Sequence, residues 1–348
     1  MRLSTRLGYA LCASAAVALL AACSGGSSQM APTVGGSNNL APQSRSHHIT
    51  ANMSGLAPKF QHGLNLDGKT NHKPNWITNE AKVLANKNGL LFVANEAASS
   101  INIYPKNKST TKIGSITNGV SGPDGVGVDS LGNVYETNLN SGTVNMYTPP
   151  FTGGPATVYS PGGSPVAVAI GTDGSLYTTD YSNSRLTEYP PNSTVASNVC
   201  ALPGNGEGVA LDSANNLYVA FNSATTGTGQ VEMFAPGAGC TPTSNLGINV
   251  GFAGGVTFDS SGNLLFEDQF VGVEVYPPGS TSPSQTFTGF VDPFSLAFGV
   301  LQRRLYVGDA GANSATSLKY PAGTIANVIP GDPSGLTLGV GVDPAAPK

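Results

Sequence analysis

Charge is scarce in this chain. Its 348 residues include 16 lysines and arginines and 20 aspartates and glutamates, 10% in all, where an average soluble protein carries about 25%. The net charge is −4, so the basic footprint that phosphate-backbone binding requires is missing and nucleic acid is excluded as a partner. Histidine is rarer still: there are 4, and none follows His72. Beyond that position no imidazole can serve as general base or metal ligand. A Gly-x-Ser-x-Gly elbow and a Cys–His pair are absent too, so hydrolysis there would have to rest on carboxylates and a metal. Helix-permissive windows are equally short, because 45 glycines and 25 prolines interrupt the chain; an all-helical protein is excluded. What is plentiful is Ser, Thr, Asn and Gly for a neutral polar surface, with 39% hydrophobic residues for a core.

The N-terminus reads as an address. Arg2 and Arg6 precede an uncharged apolar run, Ala10 to Ala22, too short to span a bilayer as a mature helix and of signal-peptide length. Leu20-Ala21-Ala22-Cys23 resembles the bacterial lipobox, in which the cysteine is acylated and becomes the first mature residue. The expectation is therefore a signal peptide over 1–22 and a lipid on Cys23 that anchors the protein to a membrane of the cell envelope. Ser24 in the next position suggests, by resemblance to bacterial sorting signals, the outer membrane. Residues 23–76 are rich in Ser, Gly, Asn and Pro without apolar periodicity and read as a flexible linker. All four histidines, His47, His48, His62 and His72, fall in it as solvated side chains. Cys12 leaves with the signal, so Cys200 and Cys240 remain. In an oxidising compartment two thiols most simply pair; two buried free thiols are the alternative.

The rest of the chain repeats. Gly122-Pro123-Asp124-Gly125-Val126-Gly127-Val128-Asp129 leads into Gly132-Asn133-Val134-Tyr135. Related copies start at Pro165, Gly208, Gly255 and Ser295, with a degenerate first copy at Lys82–Asn86. A second marker keeps the register: an aromatic followed within two residues by Pro, at Tyr104, Tyr147, Tyr189, Phe234, Tyr276 and Tyr320, spaced 42 to 45 residues apart. Each unit reads as four short strands. The Asp-x-x-Gly-Asn turn joins the first two, and Pro ends the third because it cannot donate to a ladder. Four antiparallel strands per unit make one propeller blade. The expected fold is thus all-β, a six-bladed β-propeller of four-stranded antiparallel blades over residues 77–344. Pro333–Gly339 repeats the start of strand one and is expected to pair within the first blade, replacing or augmenting Lys82–Asn86 and closing the ring.

These units, together with Tyr177-Thr178-Thr179-Asp180-x-x-Asn183-x-Arg185, resemble NHL repeats and the six-bladed gluconolactonase (senescence-marker) superfamily. The lone Trp76 lies outside the repeats, so the units do not resemble WD repeats. The resemblance specifies a fold and leaves function open, since such propellers serve as scaffolds and as enzymes.

Strand one is innermost in a propeller, so the residue before it lies at the channel mouth. Aligning the units places Ala81 or Ser334, Asp124, Val166, Glu207, Gly254 and Phe294 there. Asp124 in Pro-Asp-Gly matches the position that carries a metal-ligating Asp in the gluconolactonase family, and Glu207 supplies a second oxygen donor. A divalent cation such as Ca²⁺ wants six or more oxygens, so these two also read as carboxylates that merely solvate a polar mouth. A second ring, Asn95, Asn138, Asp180, Asp268 and Asp309 with Phe221 breaking the series, recurs in nearly every unit and reads as structural, accepting hydrogen bonds from the following turn. The expected function is a lipid-anchored envelope module that binds or scaffolds a protein, glycan or small molecule and requires no cofactor. The alternative is a metal-dependent lactonase-like hydrolase using Asp124 and Glu207, with Phe294 beside them.

Overall fold

The computed structural model describes residues 89–106, 110–299 and 301–343. Cys23, the linker, Trp76, Ala81 and the degenerate copy at Lys82–Asn86 lie outside them. The described residues form six four-stranded antiparallel sheets in a propeller arrangement. Blade one holds β1 (Leu90–Asn95), β2 (Ser100–Pro105) and β3 (Gly114–Ile116). Blade two is β4 (Pro123–Val128), β5 (Val134–Asn138), β6 (Thr143–Tyr147) and β7 (Thr157–Tyr159). Blade three is β8 (Pro165–Ile170), β9 (Leu176–Asp180), β10 (Arg185–Tyr189) and β11 (Asn198–Ala201). Blade four is β12 (Gly204–Leu211), β13 (Leu217–Ser223), β14 (Gly229–Phe234) and β15 (Ser244–Asn245). Blade five is β16 (Ala253–Phe258), β17 (Leu264–Asp268), β18 (Gly272–Tyr276) and β19 (Gln285–Phe287). Blade six is β20 (Pro293–Phe298), β21 (Arg304–Asp309), β22 (Ser314–Lys319) and β23 (Thr324–Pro330). The last strand, β24 (Thr337–Val342), returns to blade one and pairs antiparallel with β1.

The repeated sequence features each have a local job. In the Asp-x-x-Gly-Asn turn, Asp129 Oδ1 accepts the N–H groups of Leu131 and Asn133 at 2.8 and 2.9 Å, and Oδ2 accepts Asn133 Nδ2 at 2.7 Å. Asp212 and Asp259 repeat the arrangement. The turn amides find an acceptor within the turn, which is why Asp recurs there. Of the aromatics that end strand three, Tyr104, Tyr147, Tyr189, Phe234 and Tyr276 are buried and Tyr320 is half-buried. Strand two of each blade is sandwiched between neighbours, and β5 is buried along its length. The core is consequently a series of inter-blade layers. Phe92, Ile101 and Ile103 of blade one meet Val126 and Val134 of blade two, and Ala220 and Val231 of blade four meet Val256 and Phe266 of blade five.

Around the axis the innermost strands approach closely. The residue just inside the mouth is small in every blade: Gly125, Ala167, Gly208, Gly255, Ser295 and Gly339. A Cβ on Gly125 would stand 2.5 Å from the Val166 carbonyl oxygen, and one on Gly339 would collide with that of Asp124. Backbone has no room to give at such a contact, so the ring selects for Gly, Ala and Ser.

The tail closes the ring in a register shifted from the expected one. Asn95 pairs with Thr337 as Asn138 pairs with Pro123, so the mouth position of blade one belongs to Leu338 and not to Ser334. The sequence Pro333-Ser334-Gly335 imitates Pro-Asp-Gly, but it is used as a turn: Gly335 N–H donates to the Asp332 carbonyl at 2.9 Å, and the Ser334 hydroxyl donates to Asp332 Oδ1 at 3.1 Å.

Candidate binding site at the channel mouth

Strand one bulges at its start in the blades that open on the mouth. The pairing slips between Pro123 and Val126, Pro165 and Ala167, Gly206 and Val209, Ala253 and Val256, and Pro293 and Ser295. A bulge takes one residue out of the ladder and re-aims its side chain. The residues so released, Asp124, Val166, Glu207, Gly254 and Phe294, line one cavity of about 60 Å³. Below them Val126, Val168, Val209, Val256 and Leu296 form an aliphatic second layer. At roughly 10–15 Å³ per water the cavity has room for about four to six waters. Phe294 packs with Ala310 and Leu338 and makes one side of the mouth apolar; Asp124 and Glu207, both buried, make the other side acidic.

The acidic side is held by strand two. Glu207 Oε1 accepts Asn222 Nδ2 at 2.9 Å, and Asn222 Oδ1 accepts the N–H of Ala253 in the next blade at 2.8 Å. In blade two the bulge amide of Gly125 donates to Thr137 Oγ1 at 2.7 Å. In blade five Glu267 does the same work, its Oε2 accepting the Gly255 N–H at 2.7 Å. Burial holds the Glu267 carboxyl well above the usual carboxylate range; the Gly255 amide opposes this, and Asp309 and Asp292 add to it. A second buried acid, Glu136 on β5, accepts Asn145 Nδ2 and the Tyr147 hydroxyl through Oε1, both at 3.3 Å. Burial pushes it up to about 8, against hydrogen bonds from Asn138, Tyr147 and Asn145. Glu136 and Glu267 belong to no motif and to neither ring of equivalent positions. The available signal was a Glu inside strand two, where most other units carry an uncharged residue.

The ring of Asp and Asn at the end of strand two has a structural role and serves two loops. It accepts from the turn that follows, through Asn183 N–H on Asp180, Phe270 N–H on Asp268 and Ala312 N–H on Asp309, at 2.9 to 3.1 Å. It also accepts from the segment leading into strand one: Ser121 on Asn138, Ser164 on Asp180, Gly251 on Asp268, Val291 on Asp309 and Asp332 on Asn95. Phe221 breaks the series because blade four places its polar residue one step later, at Asn222. Burial pulls the Asp180 carboxyl up, yet hydrogen bonds from Ser164, Asn183 and Ser182 hold it below the usual carboxylate range; Arg185 also pairs with it at 2.9 Å.

Asp124 and Glu207 come to one cavity, but the other ring positions are Val166, Gly254, Phe294 and Leu338, none of which carries a side-chain donor. Among the described residues no group of three or more His, Cys, Asp or Glu side chains is placed to hold a metal ion. Two carboxylates, one of them engaged by Asn222, do not fit the oxygen set of a hard divalent cation. Away from the mouth, Cys200 on β11 and Cys240 in the β14–β15 connection are joined by a disulfide with Cα atoms 5.0 Å apart, tying blades three and four.

Fold and site together define a six-bladed β-propeller with a narrow mouth, acidic on one side and apolar on the other. No family model and no curated protein matches the chain. Solved structures do. A chain of a nidogen/laminin complex is 18% identical and superposes with a TM-score of 0.62, covering 74% of this chain and 98% of that one. Kuenenia stuttgartiensis hydrazine synthase is 13% identical with a TM-score of 0.52, over 74% of this chain and 88% of that one. A virginiamycin B lyase from Staphylococcus aureus reaches a TM-score of 0.47 at 15% identity, over 64% and 75% of the two chains. At these identities the likeness concerns the fold alone.

Proposed function

We propose that this protein is a lipid-anchored envelope propeller of NHL-like type that acts as a binding or scaffold module, gripping a partner at the channel-mouth end. The observation that carries this reading is the make-up of the mouth. A cavity of about 60 Å³ with apolar walls and two buried carboxylates suits recognition of a protruding group. It offers little to a reaction that needs a nucleophile, a base and an electrophile together. The nidogen/laminin neighbour is itself part of a protein–protein complex, which supports the use of such a fold for docking. The lactonase-like alternative draws on one fact, that Asp124 and Glu207 line the same cavity.

Elemental analysis of the purified full-length protein separates the two. The module reading expects no stoichiometric divalent metal and no lactone hydrolysis. One equivalent of metal that disappears in Asp124→Ala, together with hydrolysis of a sugar lactone, overturns it. Anchoring has its own check: labelled palmitate should be incorporated into the wild type and not into Cys23→Ser.

A further inference from the structure

The basic side chains of the propeller gather in one sector. Six lysines and arginines fall among the described residues: Lys106, Lys112, Arg185, Arg303, Arg304 and Lys319. Arg185 stands at the mouth end of blade three, paired with Asp180 at 2.9 Å. The other five belong to blades one and six, which pack against each other, and all five lie at the end opposite the mouth. Lys106 follows β2 and Lys112 precedes β3, while Arg303 and Arg304 stand at the start of β21 and Lys319 closes β22. Among the described residues of these two blades the one carboxylate at that end is Asp343, whose backbone carbonyl accepts Lys106 Nζ at 3.2 Å. In the flanking blades Asp129 and Asp259 are engaged by the amides of their own turns.

Two further observations set this cluster apart from an ordinary solvated face. Arg304 and Lys319 are cross-strand ladder partners, and like charges directly opposite each other destabilise a sheet. Arg304 donates to the Ser317 hydroxyl at 3.3 Å, but among the described residues no carboxylate is ion-paired to either cation. An anion from outside the chain would relieve that repulsion. Beside the cations two leucines project. Leu301, 75% exposed, sits in the β20–β21 turn two residues before Arg303, and Leu131, 80% exposed, sits in the β4–β5 turn on the other side of blade one. Gly89, where the described chain begins, lies at this same end, its carbonyl accepting the Lys106 N–H at 3.0 Å. The segment from Cys23 therefore joins the propeller beside the basic cluster.

We propose that the end of blades one and six opposite the mouth docks on an anionic phospholipid surface. Lys112, Arg303, Arg304 and Lys319 meet the headgroups, and Leu301 and Leu131 enter the boundary between headgroups and acyl chains. A lipid surface fits better than an acidic protein, because the cations spread over two blades around projecting aliphatics and the chain from Cys23 arrives at the same end. Docked in this way the propeller turns its mouth away from the membrane, toward a partner. The inference rests on the reading of the chain as a lipid-anchored binding module and assigns the face by which it lies on the membrane.

The test uses the full-length chain carrying Trp76→Phe, with a single reporter tryptophan introduced by Leu301→Trp or, at the mouth end, by Val271→Trp. Each is mixed with vesicles whose acyl chains are brominated, made of phosphatidylcholine alone or with phosphatidylglycerol. On the mixed vesicles the Leu301→Trp emission should be quenched about threefold more than that of Val271→Trp, and the difference should shrink at high salt and on phosphatidylcholine alone. Arg303→Glu together with Lys319→Glu should abolish it. Lys319→Glu by itself should keep or raise the melting midpoint, since it turns a like-charge cross-strand pair into an opposite-charge one, so its loss of docking would not come from unfolding. Equal quenching at both positions overturns the proposal, as does quenching unmoved by salt and by the charge reversals. Binding to polyglutamate, with Leu301→Trp unquenched on the mixed vesicles, assigns the cluster to an acidic protein and also overturns it. Absence of palmitate on Cys23 would remove the anchor reading; failure of this docking shows instead as a palmitate-labelled, vesicle-bound chain whose two reporters are quenched alike.

Discussion

Asn222 joins two blades through one side chain: its Nδ2 donates to Glu207 Oε1 at 2.9 Å, and its Oδ1 accepts the N–H of Ala253 at 2.8 Å. It reaches both because blade four displaces its polar residue by one step, leaving Phe221 buried where the other blades have Asp or Asn. The amide therefore couples the acidic side of the mouth to the seam between blades four and five.

Asn222→Ala should strand a buried carboxylate oxygen and a buried backbone N–H. With about 1–3 kcal/mol for each of the two groups left unsatisfied, the expected loss is roughly 2–6 kcal/mol. Urea unfolding followed by tryptophan-independent far-UV CD checks it, and an unchanged midpoint would show that water replaces the amide at no cost.

Ring closure is the second prediction. A chain ending at Pro330 lacks β24, and with it Leu338 and Val340, which pack on Phe294 in one cluster and on Leu91 and Val93 in another. It also bares the edge of β1 for pairing with other chains. The single cooperative melt of the full chain should be lost and aggregation should appear on heating. A truncated chain that melts as sharply as the full one would refute closure by the tail.

The disulfide is the third. Cys200 and Cys240 enclose a sequence separation of 40 residues, for which the loop-entropy relation gives about 4 kcal/mol, with a range of about 0–5 in practice. Cys240→Ser should lower the denaturation midpoint and keep the strand content, because the strand ladders do not depend on the bridge even though Cys200 itself is buried in the layer between blades three and four. A mobility shift on reduction in a denaturing gel reports the bond itself.

The fourth concerns pH. Glu136 is fully buried and its carboxyl stands at about 8 in the folded protein, against about 4.3 in an unfolded chain. Between those values the folded state holds a proton that the unfolded state has released, so stability falls as pH rises from about 4.3 to about 8 and levels off above. For one fully coupled proton the slope is on the order of 1.4 kcal/mol per pH unit. Glu136→Gln should flatten that part of the stability profile. If wild type and variant keep parallel profiles from pH 5 to 8, the titration belongs to another group.

Much of the fold was legible because the determining interactions are local. The Asp turn recurs in three blades, at Asp129, Asp212 and Asp259, while the aromatics before Pro and the small residue after each mouth position recur once per blade; each is a choice of residue type that its own backbone geometry demands. Asp124, Glu207 and Phe294 were found by the same periodicity, since a closed ring brings equivalent positions to one level. Legibility failed where two segments compete for one role. Pro333-Ser334-Gly335 has the look of strand one, yet Asp332 ties it into a turn and the strand begins later, at Thr337. Glu136 and Glu267 stood out only as charged residues inside strand two, and nothing in the identity of a Glu says whether its carboxyl lies in water or between two sheets.

The sequence by itself determined the number of blades, the order of strands within each and the residues facing the axis, because repeating hydrophobic period and turn chemistry act over a few residues. Only the tertiary structure decided which residue of the tail completes the ring, that Asn222 secures Glu207 and that two glutamates are sealed between blades. Those outcomes depend on distances between segments far apart in the chain, set by how closely the innermost strands pack around the axis.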